Sequence, residues 1–491
     1  MNEHYLNIPF EEGRPLQQQI QERLVDAILG GHLPVAEPLP SSRKLAEQLK
    51  VSRNTIVLVY ERMVDAGYLQ SSKRRGYFIS TAFHDPDQIN VQEISSRDGD
   101  SQKWSDRFKL QPSKYQTIVK PNQWQQYEYP FIYGQIQQEY FPIEHWRECA
   151  RRTLSTTGLT DWLHDRVDID DPMLVEQLRT RILPKRGIYA GPGEILVTMG
   201  TQNSLYLLAN LLFDRHTRVA LENPGYREAH SIFRSFNADL VLQPLDQEGI
   251  MVDEKLRTCD YIYITPGHQV PTGVEMSRRR RAELVELARS SNTILIEDDY
   301  DAEISMQENP IPAMKADDRD NRIIYLGSLS KSMSPGLRIG FMVADEQLIA
   351  EARVLRRLMY RHPASNNQRQ TALFLSLGYY DAYLRKLRTL YVNKLVRMER
   401  ALNQHLPDLM THDVHSGASS FWLRVADGID TEHLAWVASR EGVLIEPGAV
   451  HFLHPSPPCN YLRLGFSTIP GHKIEPGIAQ LKTVLERFND S

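Results

Sequence analysis

Apolar positions along the chain follow two rhythms. Near the N-terminus they recur every three or four residues, so that Leu16, Ile20, Leu24, Ala27 and Ile28 share one helical face. Gly30 and Gly31 end that helix, and Pro34 and Pro38 mark a loop. Ser41 or Ser42 then caps a short helix carrying Leu45, Ala46 and Leu49. Val51 makes a turn, and Ser52 caps a second helix with Ile56, Val59, Tyr60 and Met63 inward. GYLQSSKRRGYFIS, residues 67–80, reads as two short strands around a basic tip. The pattern predicts a helix-turn-helix followed by a wing over residues 1–81.

Farther along, short continuous apolar runs replace the helical period. ILVTM, RVALE, DLVLQP, YIYIT, TILIEDD, RIIYLG and IGFMV are bounded by turn residues, and helical stretches separate most of them. Such runs predict an α/β domain over 126–491, with a mostly parallel seven-stranded sheet covered on both faces. From about residue 350 a long helical section leads to FWLRV, GVLIEPG and NYLRLGFS, a small α+β domain. Residues 82–125 show neither rhythm. They are rich in Asp, Gln and Ser with scattered single aromatics, and read as a linker. A flexible linker of roughly 44 residues spans about 35–40 Å end to end, enough to reach a partner subunit.

Composition narrows the classes. The chain has 491 residues and a net charge of −5, so any signal for nucleic acid must be local. It is local: residues 41–80 hold eight basic and three acidic side chains. Three widely spaced cysteines make no metal or disulfide pattern and imply a reducing, cytoplasmic setting. No apolar run reaches membrane-spanning length, which excludes a membrane span of that kind. His451 and His454 form an HxxH without a partner motif, and no metal is expected there.

The candidate chemistry lies in GSLSKSMSPGLRIGF, residues 327–341. Lys331 sits in a Ser-rich loop between two apolar runs, where desolvation favours a neutral, nucleophilic amine. Upstream, the strand in ILIEDDYDAE ends on Glu297, Asp298 and Asp299, followed by Tyr300, and α/β sheets bind ligands at such strand ends. Gly200, Thr201 and Gln202 lie between a strand and a helix, which makes a phosphate cradle. Tyr226 follows in ENPGY. A phosphate cradle, an aromatic lid, a strand-end Asp and a loop lysine suit pyridoxal 5'-phosphate, held as a Schiff base on the lysine.

Together GTQ, ENPGYR, TPGHQVPTG, IEDDYD and SLSKSMSPGLR make the region from about residue 127 onward resemble the fold-type I, aspartate-aminotransferase-like enzymes. With PLPSSRKLAEQLKVSRNT at the N-terminal end, the whole chain resembles the MocR/GabR branch of the GntR transcription regulators. The resemblance implies that Lys331 carries the cofactor, Asp298 pairs with the pyridine nitrogen, Tyr300 bonds the ring oxygen and Tyr226 stacks on the ring. Arg338, Ser328, Ser330, Gly200, Thr201 and Gln202 are implied for the phosphate. The loop TPGHQVPTG has Val270 where active aminotransferases usually place Asn, leaving His268 as the nearest polar substitute and weighing against turnover.

On the ligand side, Arg463 resembles the arginine that takes a substrate's α-carboxylate. Glu228 and Thr468 stand where a gamma-aminobutyrate-sensing relative has its carboxylate arginines. The expected effector is therefore an α-amino acid, with Glu228 able to favour a second cationic group. On the DNA side, Arg53, Asn54 and Thr55 fall on the first turn of the second helix, the part that meets base edges. Lys73 and Arg74 on the wing tip would meet phosphates or the minor groove. The resemblance assigns Arg43, Arg53 and Thr55 to double-stranded operator DNA, with Ser52 at the helix start and Gly76 shaping the wing. The implied function is a homodimeric, domain-swapped regulator that senses an amino compound through external aldimine formation at Lys331. The alternatives are an active aminotransferase with an attached DNA-binding module and a regulator of the cofactor's own supply.

Overall fold

The computed structural model describes residues 10–11, 13–29, 33, 38–72, 75–80, 104–134, 136–304, 310–409, 416–417, 419–454 and 456–489. The chain divides into two compact units, Met1–Arg107 and Phe108–Ser491.

The first unit holds the helices Leu16–Leu29, Ser42–Leu49 and Arg53–Asp65 and the antiparallel strands Leu69–Ser72 and Gly76–Ile79. Its core is the face that the helical rhythm predicts: Ile20, Leu24, Leu45, Ile56, Val59, Tyr60 and Met63 are buried. Leu16 differs, standing 43% exposed in the first turn of its helix. The Tyr60 hydroxyl donates to the Pro40 carbonyl at 2.8 Å, tying the loop before the helix pair to that core.

An eight-stranded sheet organises the second unit. In spatial order its strands are Ile195–Thr198, Gly340–Val343, Ile323–Ser328, Ile294–Asp299, Tyr261–Ile264, Arg218–Asn223, Asp239–Asp246 and Gly249–Ile250. Six run parallel, while Gly340–Val343 and Gly249–Ile250 run antiparallel to their neighbours. Seven coincide with the apolar runs. The eighth, Gly249–Ile250, is two residues long and too short to leave a periodic pattern. Both faces are covered, as uniformly apolar strands require. Ile195 and Val197 enter one core, and Leu196 between them enters another.

A smaller antiparallel sheet contains Ser420–Arg424, Tyr461–Gly465 and Glu446–Pro447. The 27-residue helix Tyr379–His405 packs against the C-terminal helix Ile474–Asn489. Among the described residues, no helix is long and apolar enough to cross a membrane.

The second half of the stretch read as linker corrects that reading. Residues from Phe108 onward belong to the second unit. The Ile118 amide donates to Glu228 Oε1 at 3.3 Å, and Arg227 Nη2 donates to Gln116 Oε1 at 2.9 Å. Polar composition hid this anchoring, because it is made by charged groups elsewhere in the fold rather than by local periodicity.

Candidate functional site

The parallel strands bring their carboxyl ends together. Asp298 stands beside Leu326 in register, and Asp299 beside Gly327, so the Asp298 carboxylate and the loop Ser328–Lys331 emerge at one edge. A cavity of about 200 Å³ opens there, lined by Ile118, Lys120, Tyr133, Thr201, Tyr226, Glu228, Tyr263, Val270, Asp298, Tyr300, Lys331 and Arg463. A larger depression of about 620 Å³ on the small domain shares no lining residue with it. The smaller cavity carries the chemistry because the ionisable groups converge there.

Lys331 lies with its amine 4.8 Å from the centre of the Tyr133 ring. The residue keeps some exposed surface, and its ammonium lies deep among protein groups. Desolvation, then the positive charges of Lys120 and Arg463, lower its pKa to about 8. Gly134, at φ +74°, makes the space: a Cβ there would stand 2.5 Å from Lys331 Nζ. Burial pushes the Asp298 carboxyl up to about 7, while the Tyr263 hydroxyl donates to its Oδ2 at 2.8 Å. Its other oxygen, Oδ1, is buried without a partner among the described residues. An unpaired buried carboxylate oxygen is costly, and a protonated ring nitrogen would complete it.

The other end of the site offers anion donors. Gly200, at φ +94°, opens the helix Thr201–Leu212 with no side-chain cap, leaving the first N–H groups for a ligand. Arg338 reaches the same turn, donating from Nη2 to the Met199 carbonyl at 2.7 Å, and a Cβ on Gly200 would stand 3.2 Å from that nitrogen. Ser330 Oγ is buried without a partner among the described residues, and the Ser330 amide donates to Ser328 Oγ at 3.2 Å. These orphaned groups and this cradle fit pyridoxal 5'-phosphate.

Several sequence-predicted residues sit elsewhere than expected. His268 does not line the cavity; its Nδ1 pairs with Asp301 at 3.0 Å. Val270 takes the wall position instead. The Tyr300 hydroxyl donates to the His268 carbonyl at 2.9 Å. Gln202 is exposed. Thr468 Oγ1 is buried, donating to the Ile132 carbonyl at 2.8 Å.

Sequence reasoning missed Lys120, Tyr133, Gly134, Tyr263 and Glu446. Glu446 carried a signal, as a lone acid inside the apolar run GVLIEPG. It accepts from Arg463 Nε at 3.1 Å and from the Tyr133 amide at 3.1 Å. Tyr263 was one of two tyrosines in a strand whose alternation alone cannot say which faces a ligand.

In the first unit, Ser52 caps the helix Arg53–Asp65, accepting from the Thr55 amide at 3.1 Å and bonding the Thr55 hydroxyl at 2.8 Å. Arg43, Arg53 and Asn54 are exposed around this helix start. Gly76 adopts φ +102°, the left-handed conformation that begins the second wing strand. Lys73 and Arg74 lie outside the described residues.

Residues 16–79 match the family model of bacterial regulatory proteins, gntR family, and residues 134–409 match that of aminotransferase class I and II. The HTH-type transcriptional regulator TauR of Rhodobacter capsulatus is 35% identical over 96% of this chain and 96% of its own. The chain belongs to the MocR-type regulators of the gntR family. It is a transcription regulator whose DNA-binding unit is joined to an aminotransferase-like domain. The regulator is also 28% identical to the probable rhizopine catabolism regulatory protein MocR of Rhizobium meliloti, over 97% of this chain and 95% of that one. Among solved structures, its large unit resembles the α-aminoadipate aminotransferase LysN of Thermus thermophilus, with 26% identity and a TM-score of 0.70 over 79% of this chain and 99% of that one. The kynurenine aminotransferase of Pyrococcus horikoshii matches at the same identity and TM-score over 78% and 98%. Pyridoxal 5'-phosphate is the cofactor for which this fold and these residues are arranged.

Proposed function

We propose that the regulator senses a primary amino compound, an α-amino acid, at the Lys331 pocket and transmits its presence to DNA. The observation that carries this reading is the Lys331 amine, held with a pKa near 8 in one cavity with the orphaned Asp298 oxygen and with Arg463. Bound pyridoxal 5'-phosphate supplies a carbonyl with which amines condense and a ring that withdraws electrons. Lys331 contributes the resident amine. Asp298 holds a proton on the ring nitrogen, Tyr226 covers the ring face, and Tyr300 approaches the ring oxygen. Arg338, Ser328, Ser330 and the amides after Gly200 bind the phosphate. Arg463 receives the carboxylate of the incoming amino acid, and Glu228 accepts a donor from its side chain.

Arg463 is of no evident use to a protein that senses the cofactor alone. Val270 in the wall offers no hydrogen bond to the ring oxygen, which favours sensing over turnover. In the DNA-binding unit, Arg43, Arg53, Asn54, Thr55 and the wing residues Lys73, Arg74 and Gly76 are the residues we assign to the duplex, with Ser52 fixing the helix start. We further propose a cytoplasmic homodimer in which each DNA-binding unit reaches the other subunit. Borohydride reduction of the purified protein, followed by peptide mapping, tests the core of this reading: the cofactor should be fixed on Lys331 and should be displaced by a responsive amino acid added first. Fixation on another lysine, or none, contradicts it. Sedimentation tests the dimer, which a monomer at micromolar concentration with cofactor bound would exclude.

A further inference from the structure

Three cationic side chains meet at one ring. Arg463, Lys331 and Lys120 lie 4.4, 4.8 and 5.7 Å from the centre of Tyr133. Arg463 and Lys120 also address a single carboxylate: Arg463 Nε is 3.1 Å from Glu446 Oε2, and Lys120 Nζ is 3.6 Å from Oε1. Lys120 additionally donates to the Tyr133 carbonyl. The gap left by Gly134 places the two amines on one space, since a Cβ there would be 2.5 Å from Lys331 Nζ and 3.7 Å from Lys120 Nζ. Glu446 is thus shared between two cations, with Glu228 near Lys120 and Asp301 near Lys331 as the other carboxylates of this corner. Lys120 and Arg463 both line the cavity, so a carboxylate entering it meets two cations that already converge on one carboxylate, Glu446.

We propose that Lys120 is a ligand-contacting residue that shares with Arg463 the carboxylate of the amino acid entering the pocket. This rests on the sensing role argued above and adds to it a second cation, drawn from outside the aminotransferase class I and II match, which begins at residue 134. The location gives the contact a consequence. Lys120 stands on the stretch that precedes the aminotransferase-like match in sequence, and the same stretch is tied to the pocket wall at Glu228, whose Oε2 is buried without a partner among the described residues. A carboxylate held by Lys120 fixes this stretch. By reciprocity, whatever holds the stretch in place raises ligand affinity by the same factor.

The test uses full-length protein loaded with cofactor, titrated by absorbance with L-alanine, L-phenylalanine and L-lysine. Each is paired with the amine lacking its carboxylate: ethylamine, phenethylamine and cadaverine. For the pair that responds most strongly, Lys120→Ala should weaken the amino acid at least tenfold more than it weakens the amine, while Lys120→Arg should restore most of the difference. Hydrogen exchange over residues 108–125 should slow with the amino acid in the wild type and not in Lys120→Ala. Lys120→Gln provides the same comparison should the alanine variant fold poorly. Equal loss for acid and amine, or no loss for either, overturns the proposal while leaving the sensing role intact. A wild-type protein that answers none of the six compounds overturns the sensing role itself, and this inference with it.

Discussion

The two units hold their positive charges in opposite ways. Around the start of the helix Arg53–Asp65, Arg43, Lys44 and Arg53 stand in solvent, with no ion pair among the described residues. In the pocket, Arg463 is 3% exposed and bound to Glu446, and the Lys331 ammonium is desolvated enough to lower its pKa. An exposed cation costs little to keep and waits for a phosphate, so its contribution is additive and screened by salt. A buried cation is held by its neighbours, so its proton and its geometry depend on them. Substitutions should therefore act locally and strongly in the pocket, and mildly and salt-dependently on the DNA surface.

The largest effect should come from Lys331→Ala, which removes borohydride-fixed cofactor altogether yet leaves the fold and DNA affinity intact. Loss of DNA binding in circular-dichroism-normal protein would break the separation of the two charge sets. Next, Asp298→Asn should weaken cofactor retention by roughly 1.5–3 kcal/mol, the scale of a hydrogen bond to a charged group, measured by cofactor titration. Arg53→Ala should cost about 1–3 kcal/mol on a preferred duplex by removing a base-edge or close phosphate contact. Lys73→Ala should act more weakly, lowering affinity for all duplexes and flattening the salt slope by about one unit.

A pH series sharpens the same contrast. Lys331 is lowered from 10.5 to about 8, so its neutral fraction, and with it the rate of cofactor attachment, should rise with pH through that midpoint. For the cofactor-free protein the unfolded lysine holds its proton up to its ordinary range. Between about 8 and 10.5 the unfolded state therefore binds more protons, and this group makes stability increase with pH. Lys120→Met removes a positive neighbour and should move the attachment midpoint upward. An unmoved midpoint would mean that burial alone sets it.

Much of this was legible in the chain. Seven apolar runs gave seven strands, and Asp298, Lys331, Tyr226 and Arg463 met at one cavity because strand ends are where a parallel sheet leaves room for a ligand. What escaped were residues whose role depends on distant partners. Lys120 and Ile118 lie in polar sequence without period, and only Glu446, Tyr133 and Glu228 from elsewhere in the chain give them a place. His268 is polar and near in sequence, but its ring pairs with Asp301 and is not part of the cavity lining. Gly249–Ile250 was too short to announce itself.

The most direct test joins the two units in one titration. Duplexes enriched from a random pool by the cofactor-loaded protein are titrated with and without a responsive amino acid, for wild type and for Lys331→Ala. The account predicts that the amino acid changes the wild-type DNA affinity and leaves the variant's unchanged. An equal change in both proteins would contradict it, because the signal would then bypass Lys331.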